Sequence, residues 1–490
     1  MPSPSLLCSM IALASFALVC GCRGETTADK NHLKGDAHEK QPQVTDVDTS
    51  ASPAGASASP AGASAMVLGQ ELEAGLSPVP TKPAEQDYTT NANSTVSISG
   101  KLQEDAINAL DSGDLVEAFE LVRELNRVDG ENPQAIFLMA RVLAEKHRFR
   151  SAVNMLDDLA IEFPDAKLAV LGQTAEWLVF QGDWEAAEER CRILISFLDE
   201  TSLVDRLLSR LLMRQGRRLE AEFFLRRLCR VGNVEEMDLR SLLSLSYPLR
   251  GDAATDAFEP IGLEGDARHA ISMGDFAAAD EMLQQALERT PNGISPAEYA
   301  LHGRLLAILE QFDRLPEWIK NAPAGIATHS DYWFALGVHQ LQQSDFSAAV
   351  KSFGRTVIRD QTDFRAYEKL GDALTRIGKS ELAKVATERA DLIEQTVSIG
   401  DEMASNPQRD VQKISVLIDL LERLQRPLEA LGWRGIQVAY GRANSMLDED
   451  AARDVLQMIN QKRIAQLGNT ESPAKRLFVT CGIELPAEPE

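Results

Sequence analysis

The stretch that decides the fold runs from Gly274 to Pro291 and reads GDFAAADEMLQQALERTP. Its glycine favours a tight turn, because glycine adopts left-handed backbone angles at little steric cost. A small residue, Ala279, follows five positions later within an amphipathic run. The run ends at a proline, which cannot continue a helix because it lacks a backbone N–H. The stretch therefore predicts a turn followed by one amphipathic helix.

The same pairing of a turn residue with an alanine five positions later recurs along most of the chain. The pairs are Gly113/Ala118, His147/Ala152, Gly182/Ala187, Gly216/Ala221, Gly274/Ala279, Ser344/Ala349 and Gly378/Ala383. Successive alanines are 34, 35, 34, 58, 70 and 34 residues apart. The separation of 58 predicts an insertion, and the separation of 70 predicts two repeats with a degenerate turn at Gln311/Pro316. A sustained period of this kind indicates a repeat architecture.

Within the second repeat, small residues fall at fixed places. If Pro133 is counted as position 1, Ala140 and Ala152 are the small residues at positions 8 and 20, and Pro164 closes the repeat. This pattern resembles the tetratricopeptide repeat, a helix–turn–helix unit. The resemblance implies an all-α, right-handed solenoid of about eight to nine helix pairs, because each pair must stack on its neighbours to bury its apolar face. A non-repetitive all-α domain is the alternative.

The N-terminal segment predicts where in the cell the protein is located. Residues 1–21 contain a short apolar run that ends in small residues, which is typical of a secretory signal peptide. The ending VCGC at residues 19–22 resembles the bacterial lipobox, and this resemblance implies that Cys22 is acylated and becomes the first residue of the mature chain. The protein would then be exported and lipid-anchored to a bacterial cell-envelope membrane. An ordinary secretory signal, giving a periplasmic or secreted protein, is the alternative.

Composition and periodicity divide the rest of the chain. Residues 22–97 are rich in Ala, Ser, Pro and Gly and predict a disordered tether, since they carry too few large apolar groups to offset chain entropy. The insertion is either a tolerated surface loop or a binding element. In order after the tether, we expect repeats at 98–231, the insertion at 232–262, further repeats at 263–397, a divergent ninth repeat or cap at 398–468 and a flexible tail at 469–490.

The charge balance restricts the partners. The chain carries 50 basic and 74 acidic residues, a net charge of −24. Such a balance disfavours binding to nucleic acid or to an anionic membrane surface. Among the six cysteines, Cys191 and Cys229 lie on the second helices of adjacent repeats. They are either a disulfide pair or two buried apolar groups.

No stretch of the sequence indicates catalysis. It contains no phosphate-binding glycine loop, nucleophile elbow, metalloprotease helix or paired C-x-x-C. Its seven histidines do not pair at the spacing of metal ligands. We therefore predict no catalytic residue, no cofactor and no metal site.

The candidate binding residues are arginines on the first helices of the repeats. In the tetratricopeptide family, positions 2, 5, 9, 12 and 13 line the inner groove, and the resemblance places five arginines there: Arg141, Arg206, Arg210, Arg214 and Arg268. Guanidinium groups suit bidentate contacts with carboxylates or phosphates. This arginine stripe predicts a groove for an acidic peptide or an anionic polymer. Internal pairing with Glu176, Glu220 or Glu222 is the alternative.

Three functions fit these features. The first is a membrane-anchored envelope scaffold without catalysis, which binds other envelope proteins, including proteins with acidic segments, through its repeats. The second is a recognition subunit, for an acidic peptide or anionic polymer, of an extracytoplasmic enzyme or polysaccharide system. The third is the helical half of a larger secreted two-part protein. We expect the first, because it accounts for both the repeats and the predicted address.

Overall fold

The computed structural model describes residues 92–130, 132–255, 258–289, 293–406, 408–467 and 473–486. The regular secondary structure of these residues is helical and contains no β-strand, which confirms the predicted all-α class. The predicted signal segment, Cys22 and residues 22–91 of the predicted tether lie outside the described residues. The first helix begins at Ala92, before the expected end of the tether at residue 97.

The described residues form two compact units, and the boundary between them lies between residues 174 and 175. Unit 1 contains α1 Ala92–Asp111, α2 Leu115–Val128, α3 Pro133–Glu145 and α4 Phe149–Glu162, and the unit boundary falls within α5 Lys167–Gln181. Unit 2 continues with α6 Trp184–Phe197, α7 Ser202–Arg214, α8 Arg218–Val231, α9 Glu236–Leu243, α10 Arg250–Ala253, α11 Gly262–Ser272, α12 Phe276–Arg289, α13 Pro296–Ile308, α14 Leu315–Lys320, α15 Ser330–Gln342, α16 Phe346–Arg359, α17 Phe364–Arg376, α18 Ser380–Ser405, α19 Val411–Arg423, α20 Pro427–Ala443, α21 Glu449–Gln466 and α22 Pro473–Val479.

The turns between paired helices lie at the turn residues that the sequence predicts. The turn residues have positive φ angles: Gly113, His147, Gly182, Gly216, Gly274, Ser344 and Gly378. The alanine five positions after each of them is buried. A small side chain at this place lets the two helices of a pair approach closely. The predicted pattern of turn and alanine is therefore confirmed.

The degenerate repeat turns one residue earlier than the sequence suggests. The φ angle is 58° at Glu310, so the predicted marker at Gln311/Pro316 is wrong. Five positions after Glu310 stands Leu315, which is fully buried and takes the place of the usual alanine. The sequence pattern misses this turn because neither the glycine nor the alanine of the other repeats is present.

An aromatic contact holds this degenerate pair together. The indole of Trp318 lies where a Cβ on Gly303 would stand. Its Nε1 donates a hydrogen bond to the Tyr299 carbonyl at 3.1 Å, and the Tyr299 hydroxyl donates to the Trp318 carbonyl at 2.9 Å. The two rings stack with their centroids 5.6 Å apart. Helix α13 therefore requires glycine at this place, because any side chain would displace the indole.

The insertion forms part of the core of unit 2. Helices α9 and α10 pack against the long helix α18, and α9 also packs against α20. Leu242, Leu243 and Leu245 are fully or almost fully buried, in one cluster with Trp433 of α20. The interpretation of residues 232–262 as a surface loop is therefore wrong. Its leucines fill the space between α7–α8 and α18–α20, which the repeat period alone does not reveal.

Helices α19 and α20 form a further pair, in the region for which the sequence predicts a divergent repeat or cap. Gln425 has a φ angle of 54°, and Ala430 is buried five positions later. Helix α21 then packs against α20 and buries Ala452 and Ile459. The array thus continues with the same turn geometry beyond the seven recognisable markers.

The expected flexible tail is wrong for residues 473–486. Helix α22 packs against α16, and the Tyr367 hydroxyl donates to the Val479 carbonyl at 2.9 Å. Cys481 and Ile483 are buried in the core cluster that α15–α18 form. The segment is polar overall, but Cys481, Ile483 and the partly buried Leu485 pack in this core, whereas Leu477 stays exposed.

Two glycine substitutions test the aromatic contact on α13. We expect Gly303→Ala to destabilise the protein by about 1–3 kcal/mol, because the new methyl group overpacks against Trp318. The matched control is Gly435→Ala in α20, whose Cβ would meet no atom within 4 Å. This change should stabilise the helix by roughly 0.5–1 kcal/mol. Urea unfolding followed by circular dichroism measures both, and equal effects of the two substitutions would contradict the assignment.

Candidate functional site

The candidate functional site is the inner face of unit 2, which we define as the repeat positions 2, 5, 9, 12 and 13 on its first helices together with the beginnings of α8 and α20 and the turn before α17. Four of the five predicted arginines lie in this unit: Arg206, Arg210 and Arg214 on α7, and Arg268 on α11. Arg141 lies in unit 1, on α3.

The arginines of α7 bind the start of the insertion. Arg206 donates from Nε to the Asp238 carboxylate at 3.0 Å and from Nη2 to the Asn233 carbonyl at 2.8 Å. Arg210 donates to the Glu235 carboxylate at 2.8 Å, and its side chain remains 43% exposed. The acidic residues that meet this part of the stripe therefore belong to the chain itself.

Arg268 is buried and joins three partners. Its Nη2 lies 2.9 Å from the Glu264 carboxylate and 2.8 Å from the Asp331 carboxylate, and its Nη1 donates to the Ser246 carbonyl at 2.9 Å. Burial by itself would lower the pKa of Arg268, but the two carboxylates outweigh it and raise that pKa. Burial by itself would raise the pKa of Asp331, and the neighbouring arginines instead lower it. Both groups are therefore held in their charged forms.

The two remaining arginines also have partners within the chain. Arg214 donates from Nε to the Glu259 carbonyl at 2.6 Å, at the other end of the insertion. In unit 1, Arg141 lies 3.6 Å from the Asp111 carboxylate and is buried. All five predicted arginines thus take part in internal contacts, and binding of an external acidic partner by them stays a prediction.

The internal partners differ from those that sequence proximity suggests. Glu220 pairs with Arg217 at 2.7 Å, and Glu222 pairs with Arg226 at 2.6 Å. Neither distance involves the arginine stripe. Residues of α8 are close to α7 in sequence, but the inner face of α7 turns toward the insertion, which supplies the partners instead.

Sequence reasoning misses one further arginine of the inner face. Arg304 of α13 is 1% exposed, and its Nη1 lies 2.6 Å from the Asp363 carboxylate and 3.3 Å from that of Asp331. With the turn at Glu310, Arg304 occupies position 9, the position of Arg210 and Arg268. Because the sequence places the turn of the degenerate repeat one residue too late, Arg304 did not fall at position 9 in the prediction. Placing the turn at Glu310 would have identified it.

Alternate carbonyl groups of residues 242–249, which we call the inner segment, are held by three guanidinium groups. The hydrogen bonds run from Arg426 to the Leu242 carbonyl at 2.5 Å, from Arg218 to the Ser244 carbonyl at 2.7 Å and from Arg268 to the Ser246 carbonyl at 2.9 Å. Leu242 and Leu243 are the last residues of α9, and residues 244–249 form the irregular connection that follows it, so the guanidinium groups hold carbonyls at and just beyond the end of that helix. These arginines come from the beginnings of α8 and α20 and from α11.

The other edge of the inner segment contacts the turn before α17. The Leu245 N–H donates to Thr362 Oγ1 at 2.8 Å, and Thr362 Oγ1 donates to Asp360 at 2.6 Å. The Ser246 hydroxyl also donates to Asp360. Burial, and after it the charge of Asp363, raises the pKa of Asp360. A hydroxyl of the segment thus donates to a fully buried carboxyl group.

The apolar side chains of the inner segment fill spaces that glycines leave open. A Cβ on Gly400 of α18 would lie 2.8 Å from the Leu243 side chain and 3.0 Å from that of Leu249. Leu245 is buried in the same core as Trp433. Both the backbone and the side chains of the segment are therefore recognised.

Arg218 is the least satisfied of the cations that hold the segment. It is buried, and its Nε and Nη1 have no hydrogen-bond partner among the described residues. Burial, with a smaller effect from the nearby charge of Arg268, lowers the pKa of Arg218 to about 10. The inner face can therefore donate more hydrogen bonds than the segment accepts.

The part of the chain that the structure describes contains no group of three or more His, Cys, Asp or Glu residues that could hold a metal ion. No helix in it is both long and apolar enough to cross a membrane. Cys191 and Cys229 are buried free thiols, so the disulfide alternative is wrong. Burial raises the pKa of Cys191 to about 12.

The ion pairs of Arg304 can be tested against an exposed pair. We expect Arg304→Leu to cost about 3–5 kcal/mol, because it leaves Asp363 buried without its partner. In the control, Arg453→Leu, the arginine is 69% exposed and its loss should cost less than about 1 kcal/mol. Chemical denaturation at neutral pH compares the two. A small effect at Arg304 would show that Asp363 is satisfied without it.

Comparisons with known proteins agree with this architecture. Models of the tetratricopeptide repeat match residues 109–173 and residues 334–390. The first match lies in unit 1, and the second covers the greater part of α15 to α18 in unit 2. A comparison with curated proteins finds no match.

Several solved structures are distantly similar. A tetratricopeptide-repeat protein from Parabacteroides merdae has 13% identity, and the match covers 57% of this chain and 99% of that chain with a TM-score of 0.24. The Cut9–Hcn1 hetero-tetramer of APC/C has 14% identity, coverage of 81% and 99% and a TM-score of 0.24. Yeast Tom70 has 12% identity, coverage of 76% and 90% and a TM-score of 0.22. Scores this low carry no argument, so the assignment rests on the repeat matches and the helix pairs.

Repeat arrays of this family bind other proteins, and their usual role is that of a noncatalytic scaffold. The two matched segments and the recurring helix pairs with their positive-φ turns show that the chain contains tetratricopeptide repeats.

Proposed function

We propose that the protein is a noncatalytic scaffold of the bacterial cell envelope, anchored by lipid on Cys22, that binds other envelope proteins through its helix pairs. The observation that carries the binding part is that three guanidinium groups on the inner face of unit 2 hold the backbone carbonyls of residues 242, 244 and 246. An array that binds a segment of its own chain in this way has the chemistry to bind segments of other proteins.

The proposed membrane location rests on the sequence of the N-terminal segment. The apolar run and the ending VCGC at residues 19–22 support export followed by acylation of Cys22. Each buried methylene of an acyl chain contributes about 0.8 kcal/mol to membrane binding, and two or more chains give stable anchoring. Residues 23–91, which are polar, would then separate the repeats from the membrane.

Acylation is tested by intact mass and membrane fractionation of the native protein. We expect the wild-type chain in the membrane fraction with acyl mass at Cys22, and Cys22→Ala in the soluble fraction without it. Cys8→Ala is the matched control, since this cysteine lies within the apolar run and should be removed with the signal peptide. If wild type and Cys22→Ala are both soluble and unmodified, the lipid anchor is rejected.

Scaffolding is tested by chemical cross-linking in intact membranes, followed by mass spectrometry. We expect reproducible cross-links between helices α1–α21 and a small set of exported proteins. The control carries residues 1–97 fused to an unrelated globular protein, so that it shares the anchor and tether but not the repeats. Capture of the same proteins by this control would show that the repeats do not select partners.

A further inference from the structure

A cleft of about 410 Å³ opens at the edge of unit 2 where paired helices turn. We call it the edge cleft. It is lined by residues 182–185 of the α5–α6 turn, by Gln215 and Arg217 of the α7–α8 turn, by residues 261–264 at the start of α11 and by Glu298 of α13. Its volume is within the range of about 300–1,000 Å³ that is usual for ligand sites. The two turns come after repeat positions 2, 5, 9, 12 and 13, so the edge cleft is not the groove that those positions line.

The start of α11, which follows the insertion, packs directly on the α7–α8 turn and so forms one wall of the edge cleft. The Ile261 N–H donates to the Arg214 carbonyl at 2.8 Å. A Cβ on Gly265 would lie 2.3 Å from the same carbonyl oxygen, and a Cβ on Gly216 would lie 2.8 Å from the Glu264 side chain. Glycine at both places therefore permits a close approach that a side chain would prevent. Two walls of the edge cleft are thus held together by the backbone.

The charges that line the edge cleft are mostly acidic and have no internal counter-charge. Asp183, Glu185 and Glu298 form no ion pair with any described residue, although all three line the cleft. Arg217 does not balance them, because its guanidinium group already binds two carboxylates of α6 and α8, at 2.6 and 2.7 Å. Three carboxylates therefore remain for a cation from outside the chain.

The spacing of these carboxylates favours an organic cation over a metal ion. No three His, Cys, Asp or Glu side chains of the described residues lie close enough together to share a metal. A segment with several basic side chains can instead meet separate carboxylates one by one. Trp184 also lines the edge cleft, with its ring 3.8 Å from the place of a Cβ on Gly182, and cations bind over the face of an indole.

We propose that the edge cleft binds a lysine- or arginine-rich segment of a partner protein. The partner meets carboxylates and an indole there, whereas the arginines of the inner face are engaged within the chain. The net charge of −24 favours encounter with the same partner through long-range attraction. This inference rests on the proposed scaffold function and names the partner chemistry of one surface.

Fluorescence anisotropy with labelled hexalysine tests the edge cleft in the full-length protein. The test variant is Asp183→Asn/Glu185→Gln/Glu298→Gln, which removes the three charges. Its amides can still cap α6 and α13, where Asp183 and Glu298 accept backbone N–H bonds. We expect this variant to bind hexalysine about tenfold more weakly than wild type, because three charge contacts are lost.

A matched variant separates the edge cleft from the general attraction of an acidic chain. Glu381→Gln/Glu394→Gln/Asp419→Asn removes three exposed carboxylates from α18 and α19, and it should weaken binding less than about twofold. Circular dichroism checks that both variants keep their helices. If wild type does not bind hexalysine, or if the two variants weaken binding equally, the proposal is overturned. Either failure leaves the cross-linking of partners in membranes, which tests the scaffold itself, unaffected.

Discussion

Burial of the insertion's leucines between α7–α8 and α18–α20 is the interaction on which unit 2 depends. A helix pair exposes an apolar face that its own two helices cannot cover. In an open array the next pair covers that face, but here Leu242, Leu243 and Leu245 also fill the space beside α18 and α20. Residues nearly two hundred positions apart thereby become neighbours, as the bond from Arg426 to the Leu242 carbonyl shows.

The packing of the insertion between α7–α8 and α18–α20 also explains why so many charged side chains are buried in unit 2. A guanidinium group that leaves water must keep its hydrogen bonds, or its desolvation is not offset. Arg268 and Arg304 keep theirs by sharing Asp331, whereas Arg218 relies on a backbone carbonyl. The difference appears in their pKa values, which rise where carboxylates surround the arginine and fall where they do not. The carbonyls of the inner segment thus supply some of the hydrogen bonds that the buried guanidinium groups need.

Acidic residues of the insertion meet α7, whereas uncharged residues meet α11 and the turn before α17. The inner face is therefore chemically divided along its length.

The sequence by itself determined the all-α class, the repeat period and seven of the turns, because these depend on local residues such as Gly113 and Ala118. It also placed arginines on the inner face. It could not find the turn at Glu310, where a tryptophan–glycine contact replaces the local signal. Only the tertiary structure decided that the insertion is core, that residues 473–486 are packed and that the stripe pairs with Asp238 and Asp331. These outcomes depend on which distant elements meet, and a period of about 34 residues carries no information about contacts across more than one repeat.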